Sequence, residues 1–164
     1  GDGYETCIVA AVDAMAARPE IDAARIGTLG RSLGGIYVVK AAALSPRIAA
    51  TVVFGGAWDL SDWPTMPPLI QAGFLWATGA NDEAGALARM AGANLDDCIG
   101  SVTTPVLVVH GRHDAIFKAH QAERIAAALP ANARLWMDEE GVHCCHNHAF
   151  EYRTGMVDWL VETL

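Results

Sequence analysis

The stretch Arg25-Ile-Gly-Thr-Leu-Gly-Arg-Ser-Leu-Gly-Gly35 restricts the folds open to this chain more than any other. It reads as a short buried strand, Arg25 to Leu29, a turn Gly30-Arg31-Ser32-Leu33-Gly34, and a helix from Leu33 to Leu44. Gly-x-Ser-x-Gly between a strand and a helix is the pattern of a nucleophile elbow. A serine on so sharp a turn takes strained backbone angles, and side chains two positions away on either side would collide with the strand and the helix. Gly30 and Gly34 are expected to remove those side chains, and Gly35 to let the helix pack close. The turn leaves the Leu33 N–H at a helix start, aimed where an oxyanion would form. The plainer reading is a glycine-rich turn that carries an ordinary serine.

A length of 164 residues allows one domain with a real core. Hydrophobic residues make up 52% and charged ones 18%, the balance of a globular domain with a large buried fraction. A net charge of −8 with no offsetting Lys/Arg cluster argues against a nucleic-acid partner. No apolar run approaches the roughly 18 residues of a membrane span. The chain opens on Gly1-Asp2-Gly3, without Met and without a charged-then-apolar leader, and a longer natural chain is expected. Cys7, Cys98, Cys144 and Cys145 are expected to be reduced, because so apolar a chain needs no covalent staples. A cytoplasmic location follows from that expectation.

Ile8, Val12 and Met15 give residues 4 to 17 a helical spacing that ends before Pro19. Ala50-Thr-Val-Val-Phe54 is a β-branched run closed by Gly55-Gly56, as a parallel strand buried on both faces should be. Residues 57 to 100 then change character. Trp58, Trp63 and Trp76 stand among prolines and glycines, and Ala84 to Leu95 reads as helix. An insertion of this length between two core strands is expected to be a small helical cap, with Trp58, Trp63, Phe74 and Trp76 as candidate walls of a substrate pocket. Thr104-Pro-Val-Leu-Val-Val109 is the next strand and leads into His110-Gly-Arg-His-Asp114. A helix carrying Ile125, Ala128 and Leu129 follows, then a weaker strand, Arg134 to Met137, and a loop from Asp138 to Asn147. The last helix is expected to turn Phe150, Val157, Leu160 and Leu164 toward the core. Strands alternate with helices, which implies an α/β fold: a parallel sheet with helices on both faces, residues 1–56 and 101–164 forming the core and 57–100 the cap.

A serine hydroxyl is a poor nucleophile at neutral pH and needs a base, and the base needs a carboxylate to fix its tautomer. On an elbow of this type the partners follow in the order Ser, Asp or Glu, His. Asp114 lies just past a buried strand and His143 in a later strand-to-helix loop, so both reach the edge of the sheet where Ser32 points. Singly, Asp114 reads as a helix cap and His143 as a surface histidine. Their joint order and placement favour a catalytic set of Ser32, Asp114 and His143.

Leu29-Gly-Arg-Ser-Leu-Gly-Gly35, His110-Gly-x-x-Asp114 and Gly141-Val-His-Cys-Cys-His-Asn147 together resemble the α/β-hydrolases that cleave carbon–carbon bonds. Polyketide-shortening hydrolases and FrsA-like esterases look related. The elbow is shared by many esterases and peptidases, whereas the His-Cys-Cys-His-Asn run is more particular. The likeness spans almost the whole chain and matches the C-terminal part of such an enzyme, so that the strands ahead of the elbow, with the second oxyanion donor, would lie upstream. It implies a triad of Ser32, Asp114 and His143, and hydrolysis of a β-diketone-type or aromatic ketone. Residues 62 to 80 depart from the family in being rich in Pro, Gly and apolar side chains, so substrate identity does not carry over.

A metal site is the rival reading of His143-Cys144-Cys145-His146-x-His148. Zinc loops separate their ligand pairs by a turn, and adjacent cysteines do not easily bind one ion, so no metal is expected. No organic cofactor is implied. The expected partner is a small-molecule substrate; neither nucleic acid nor membrane is expected, and a homodimer is open. A carboxylesterase or peptidase would use the same residues in the same roles. A non-catalytic binding module on the same fold is the alternative of another class.

Overall fold

A computed structural model describes residues 3–164. In chain order it holds α1 (Tyr4–Ala16), β1 (Ile26–Arg31), α2 (Gly34–Leu44), β2 (Ile48–Phe54), α3 (Pro68–Thr78), α4 (Glu83–Arg89), β3 (Val106–Gly111), α5 (Ala119–Ala128), β4 (Ala133–Asp138) and α6 (Ala149–Thr163). The strands form one parallel sheet in the order β1-β2-β3-β4. Every connection therefore crosses over the sheet, and every strand delivers its loop to the same edge. The register aligns those ends: Arg31 and Val109 both pair with Phe54, and Gly111 pairs with Asp138.

The two middle strands are continuous apolar runs because both of their faces are covered. Ile48, Val53, Val106 and Val108 join Val12 of α1, Ile36 and Val39 of α2, and Ile125 of α5 in one cluster. Val52, Phe54, Leu107 and Val109 face the other way and pack with Met156, Tyr152 and Trp159 of α6. Each fully buried Val or Leu contributes on the order of 2 kcal/mol through its apolar area.

The phase of α6 differs from the sequence expectation. Phe150 is 94% exposed and Val157 is 56% exposed, while Leu160 stays on the packed side. The helix carries two apolar stripes, and the sheet takes the one through Tyr152, Met156 and Trp159, whose larger rings fill the space over Phe54 and Val109. Of the apolar residues that set the spacing of α1, Val12 is buried and Met15 is exposed. The helix read from Ala84 to Leu95 stops at Arg89. There Met90 leaves helical geometry and the Ala93 N–H turns back to the Met90 carbonyl at 2.8 Å.

Between β2 and β3 lie α3, α4 and two short 3-10 turns. Asp82 caps α4, its carboxylate accepting from the Gly85 N–H at 2.7 Å. The segment is tied to α5 by the buried Gln121. Its Oε1 accepts from the Trp58 N–H at 2.8 Å, and its Nε2 donates to Asp62 Oδ2 at 3.1 Å.

Candidate active site

Ser32 sits at the end of β1 with φ +54°, a left-handed conformation that costs a non-glycine residue on the order of 1 kcal/mol. The turn is held from below: the Ser32 N–H donates to the Phe54 carbonyl at 2.8 Å. A Cβ at Gly30 would fall on the Gly34 carbonyl oxygen, and one at Gly35 would lie 2.8 Å from the Gly56 Cα. These two glycines let strand and helix meet. Gly34 departs from the sequence expectation, because a Cβ there would meet nothing within 4 Å. The first position of α2 simply points away from the strand.

Asp114 lies in the turn after β3 and is buried. Its Oδ1 accepts from the Ile116 N–H at 2.7 Å and the Phe117 N–H at 3.0 Å, which leaves Oδ2 for the His143 Nδ1–H at 2.7 Å. On its far side, His143 Nε2 accepts from the Ser32 hydroxyl at 2.9 Å. Ser32, His143 and Asp114, singled out in the sequence, thus form one hydrogen-bonded row. Burial alone would lower the His143 pKa, but the bond to Asp114, seconded by the Cys144 sulfur, outweighs it and lifts the value to about 9. Leu33 stands at the positive end of α2, immediately after Ser32, where its N–H is available to an oxyanion forming on a bound carbonyl.

The loop that carries His143 is unusual in its backbone. Cys144 and Cys145 are consecutive residues with φ of 52° and 43°. Cys144 Sγ donates to the Phe54 carbonyl at 3.4 Å and lies 3.4 Å from His143 Nε2. Gly55, itself at φ +60°, makes room for it, since a Cβ there would lie 2.6 Å from that sulfur. The His113 N–H bonds the Gly141 carbonyl at 2.8 Å, lacing the Asp114 turn to the His143 loop. The other side chains of the run diverge: His148 Nδ1 donates to Asp138 Oδ2 at 2.7 Å, and His146 Nε2 accepts from the Arg31 guanidinium at 2.6 Å. Cys7, Cys98, Cys144 and Cys145 are all free thiols.

Sequence reasoning passed over His110. It is fully buried at the end of β3, its Nε2 donating to the Phe117 carbonyl at 2.9 Å and lying 3.5 Å from Asp114 Oδ2. Burial holds its pKa below the ordinary imidazole value, against the pull of Phe117 and Asp114, which favours the neutral ring. The signal was the His-Gly-x-x-Asp spacing, which puts a histidine one turn before the carboxylate. Nothing in the sequence pointed to Gln121.

A cleft of about 570 Å³ opens over Ser32 and His143 and is lined otherwise by Arg31, Leu33, Leu69, Ile70, Gly73, Phe74, Ala77 and Ile116. Of the aromatic side chains expected there, Phe74 lines it. Trp58 and Trp63 do not: both are buried, Trp58 donating from Nε1 to Asp96 at 2.7 Å beneath the Arg124 guanidinium. Trp63 packs its ring 5.7 Å from that of Phe74. Trp76 is 87% exposed, because α3 turns it away from the cleft that Phe74 and Ala77 face.

A parallel sheet with helices on both faces, and a serine on a strained strand-to-helix turn at its carboxyl edge, define an α/β-hydrolase fold. Within it the chain belongs to the prolyl oligopeptidase family, whose sequence model matches residues 6–164. Over 98% of its length it is 33% identical to 2,6-dihydropseudooxynicotine hydrolase of Paenarthrobacter nicotinovorans, and it spans 44% of that protein. The crystal structure of 2,6-dihydroxy-pseudo-oxynicotine hydrolase superposes with a TM-score of 0.92, covering 98% of this chain and 46% of the other at 33% identity. An esterase of Pyrococcus furiosus shares the fold with a TM-score of 0.75 at 16% identity, over 99% of this chain and 63% of its own. The chain thus spans about half the length of the curated relative it matches.

Proposed function

We propose that this chain carries the nucleophile, base and acid of a serine hydrolase that cleaves a carbon–carbon bond in a β-diketone-type or aromatic ketone substrate. The observation that carries the reading is the row Ser32 Oγ, His143 Nε2, His143 Nδ1, Asp114 Oδ2, with steps of 2.9 and 2.7 Å. Ser32 Oγ attacks the carbonyl carbon while its proton passes to His143 Nε2, and Asp114 stabilises the imidazolium. The oxyanion faces the Leu33 N–H. Collapse breaks the bond to the α-carbon, whose electron pair departs as an enolate and takes the proton from His143. Water, deprotonated by His143, then releases the acyl group from Ser32 as a carboxylic acid.

The relative at 33% identity is a hydrolase, and the resemblance of the His143 loop to carbon–carbon hydrolases supports the choice of bond. Residues 57–100 act as the cap, laying Phe74, Ile70 and Leu69 against an apolar substrate body. A carboxylesterase or peptidase is the second reading. It is favoured by the peptidase character of the matching family and by the esterase of the same fold, and it uses the same residues.

Two measurements test the proposal. A fluorophosphonate probe labels Ser32 if the serine is activated, and an inert binding module stays unlabelled. An aryl 1,3-diketone is then expected to show a higher kcat/KM than a matched aryl ester at the same pH. Efficient ester hydrolysis with no diketone cleavage would move the protein to the second reading.

A further inference from the structure

We infer that Arg31 is an anion anchor of the cleft, and that the substrate carries an ionised oxygen, a carboxylate or phenolate, close to the carbonyl that Ser32 attacks. The inference rests on the hydrolase reading for the word substrate, but its physical basis is separate. The cleft lining is apolar apart from Arg31, Ser32 and His143, and the last two are bonded to each other. Arg31 is therefore the permanently charged group on that surface. It has no carboxylate within 4 Å among the described residues, in a chain whose net charge of −8 offers many. The other arginine whose neighbourhood the fold has organised at this edge, Arg112, is held by both Glu123 and Glu139.

What holds Arg31 in place is a neutral partner. His146 Nε2 accepts one N–H at 2.6 Å, which requires the uncharged ring with its proton on Nδ1. Burial, then the charges of Arg31 and His143, push the His146 pKa down, in keeping with that state. The bond fixes one arm of the guanidinium without neutralising it, and the remaining donors stay available in their planar fork, the geometry that suits a carboxylate or phenolate oxygen. Position does the rest. Arg31 bonds His146 and Ser32 bonds His143, and those two rings stand 6.4 Å apart at the cleft that Arg31 and Ser32 both line. One small molecule can therefore present an anionic oxygen to the guanidinium and a carbonyl to Ser32. The wall of Leu69, Ile70 and Phe74 receives the apolar remainder.

The test is binding, read apart from turnover. Affinities of 3-phenylpropanoate and its uncharged isostere 3-phenylpropanamide are measured by calorimetry on the protein, on Arg31→Met and on Arg31→Lys. The carboxylate is expected to bind about tenfold more tightly than the amide, a difference of about 1.4 kcal/mol. Arg31→Met should bring the ratio to near one, and Arg31→Lys, which keeps the charge but loses the fork, should fall between. A ratio near one in the unaltered protein, or a ratio that survives Arg31→Met, overturns the proposal. Fluorophosphonate labelling of the unaltered protein is run alongside. An unlabelled Ser32 with the ratio intact would remove the hydrolase reading and leave the anion site standing.

Discussion

At the carboxyl edge of the sheet, main-chain geometry decides where side chains go. Ser32 is fixed by its own strained turn and by a bond to the Phe54 carbonyl, and His143 precedes two residues in left-handed conformations. In the 57–100 segment, by contrast, three tryptophans of the same chemistry meet three fates: Trp58 under an arginine, Trp63 in the core, and Trp76 in water. Where the backbone is over-determined, residue type and order suffice to place a functional group. Where helices settle against one another without such main-chain constraint, they do not.

The sharpest way to break that contrast is to remove a member of the row at the sheet edge. Ser32→Ala or His143→Ala is expected to lower turnover by about 10⁴-fold or more, and Asp114→Asn by somewhat less. An active Ser32→Ala protein would show that the strained turn has no chemical purpose. Next in size is the tryptophan pair. Trp63→Ala should cost about 3–5 kcal/mol in denaturant unfolding, as the loss of a buried ring does, and Trp76→Ala less than about 0.5 kcal/mol. Equal costs would mean that the segment packs otherwise.

The pH dependence follows from the raised pKa of His143, about 9. In the proposed hydrolase the base must be neutral to accept the serine proton, so kcat/KM should rise with pH up to that value, by about tenfold per unit below it. Asp114→Asn removes the leading raising interaction while burial continues to lower the value, so its ascending limb should move to lower pH. A limb unmoved by that substitution would detach the titration from His143. The smallest effect separates two glycines of one motif. Gly30→Ala should destabilise by about 1–3 kcal/mol, because the new methyl group meets the Gly34 carbonyl, whereas Gly34→Ala should be close to neutral. Similar melting temperatures for the two would contradict the turn geometry.

The parallel sheet and the meeting of Ser32, Asp114 and His143 were legible because each strand is a buried run that ends at a turn signal. The elbow strand extends two residues past Leu29, to Arg31, because pairing with Phe54 continues into the motif itself. Less was legible in α6, where the expected stripe through Phe150 and Val157 is as regular as the one through Tyr152, Met156 and Trp159, and only the shape of the sheet chooses between them. His110 and Gln121 were missed for a related reason. Each is a polar residue buried by partners distant in sequence or by its own turn, and periodicity carries no record of that.

The Phe54 carbonyl accepts from both the Ser32 N–H and the Cys144 thiol. Measured along the backbone, Ser32 and His143 are a long way apart, and small errors in every intervening loop would accumulate in their spacing. Through this one oxygen atom, the main chain of Ser32 and the side chain next to His143 are anchored to a common datum at the end of β2. A displacement of α3, which lines the cleft through Ile70, Phe74 and Ala77, would leave that anchor untouched, because neither of its donors lies on that helix.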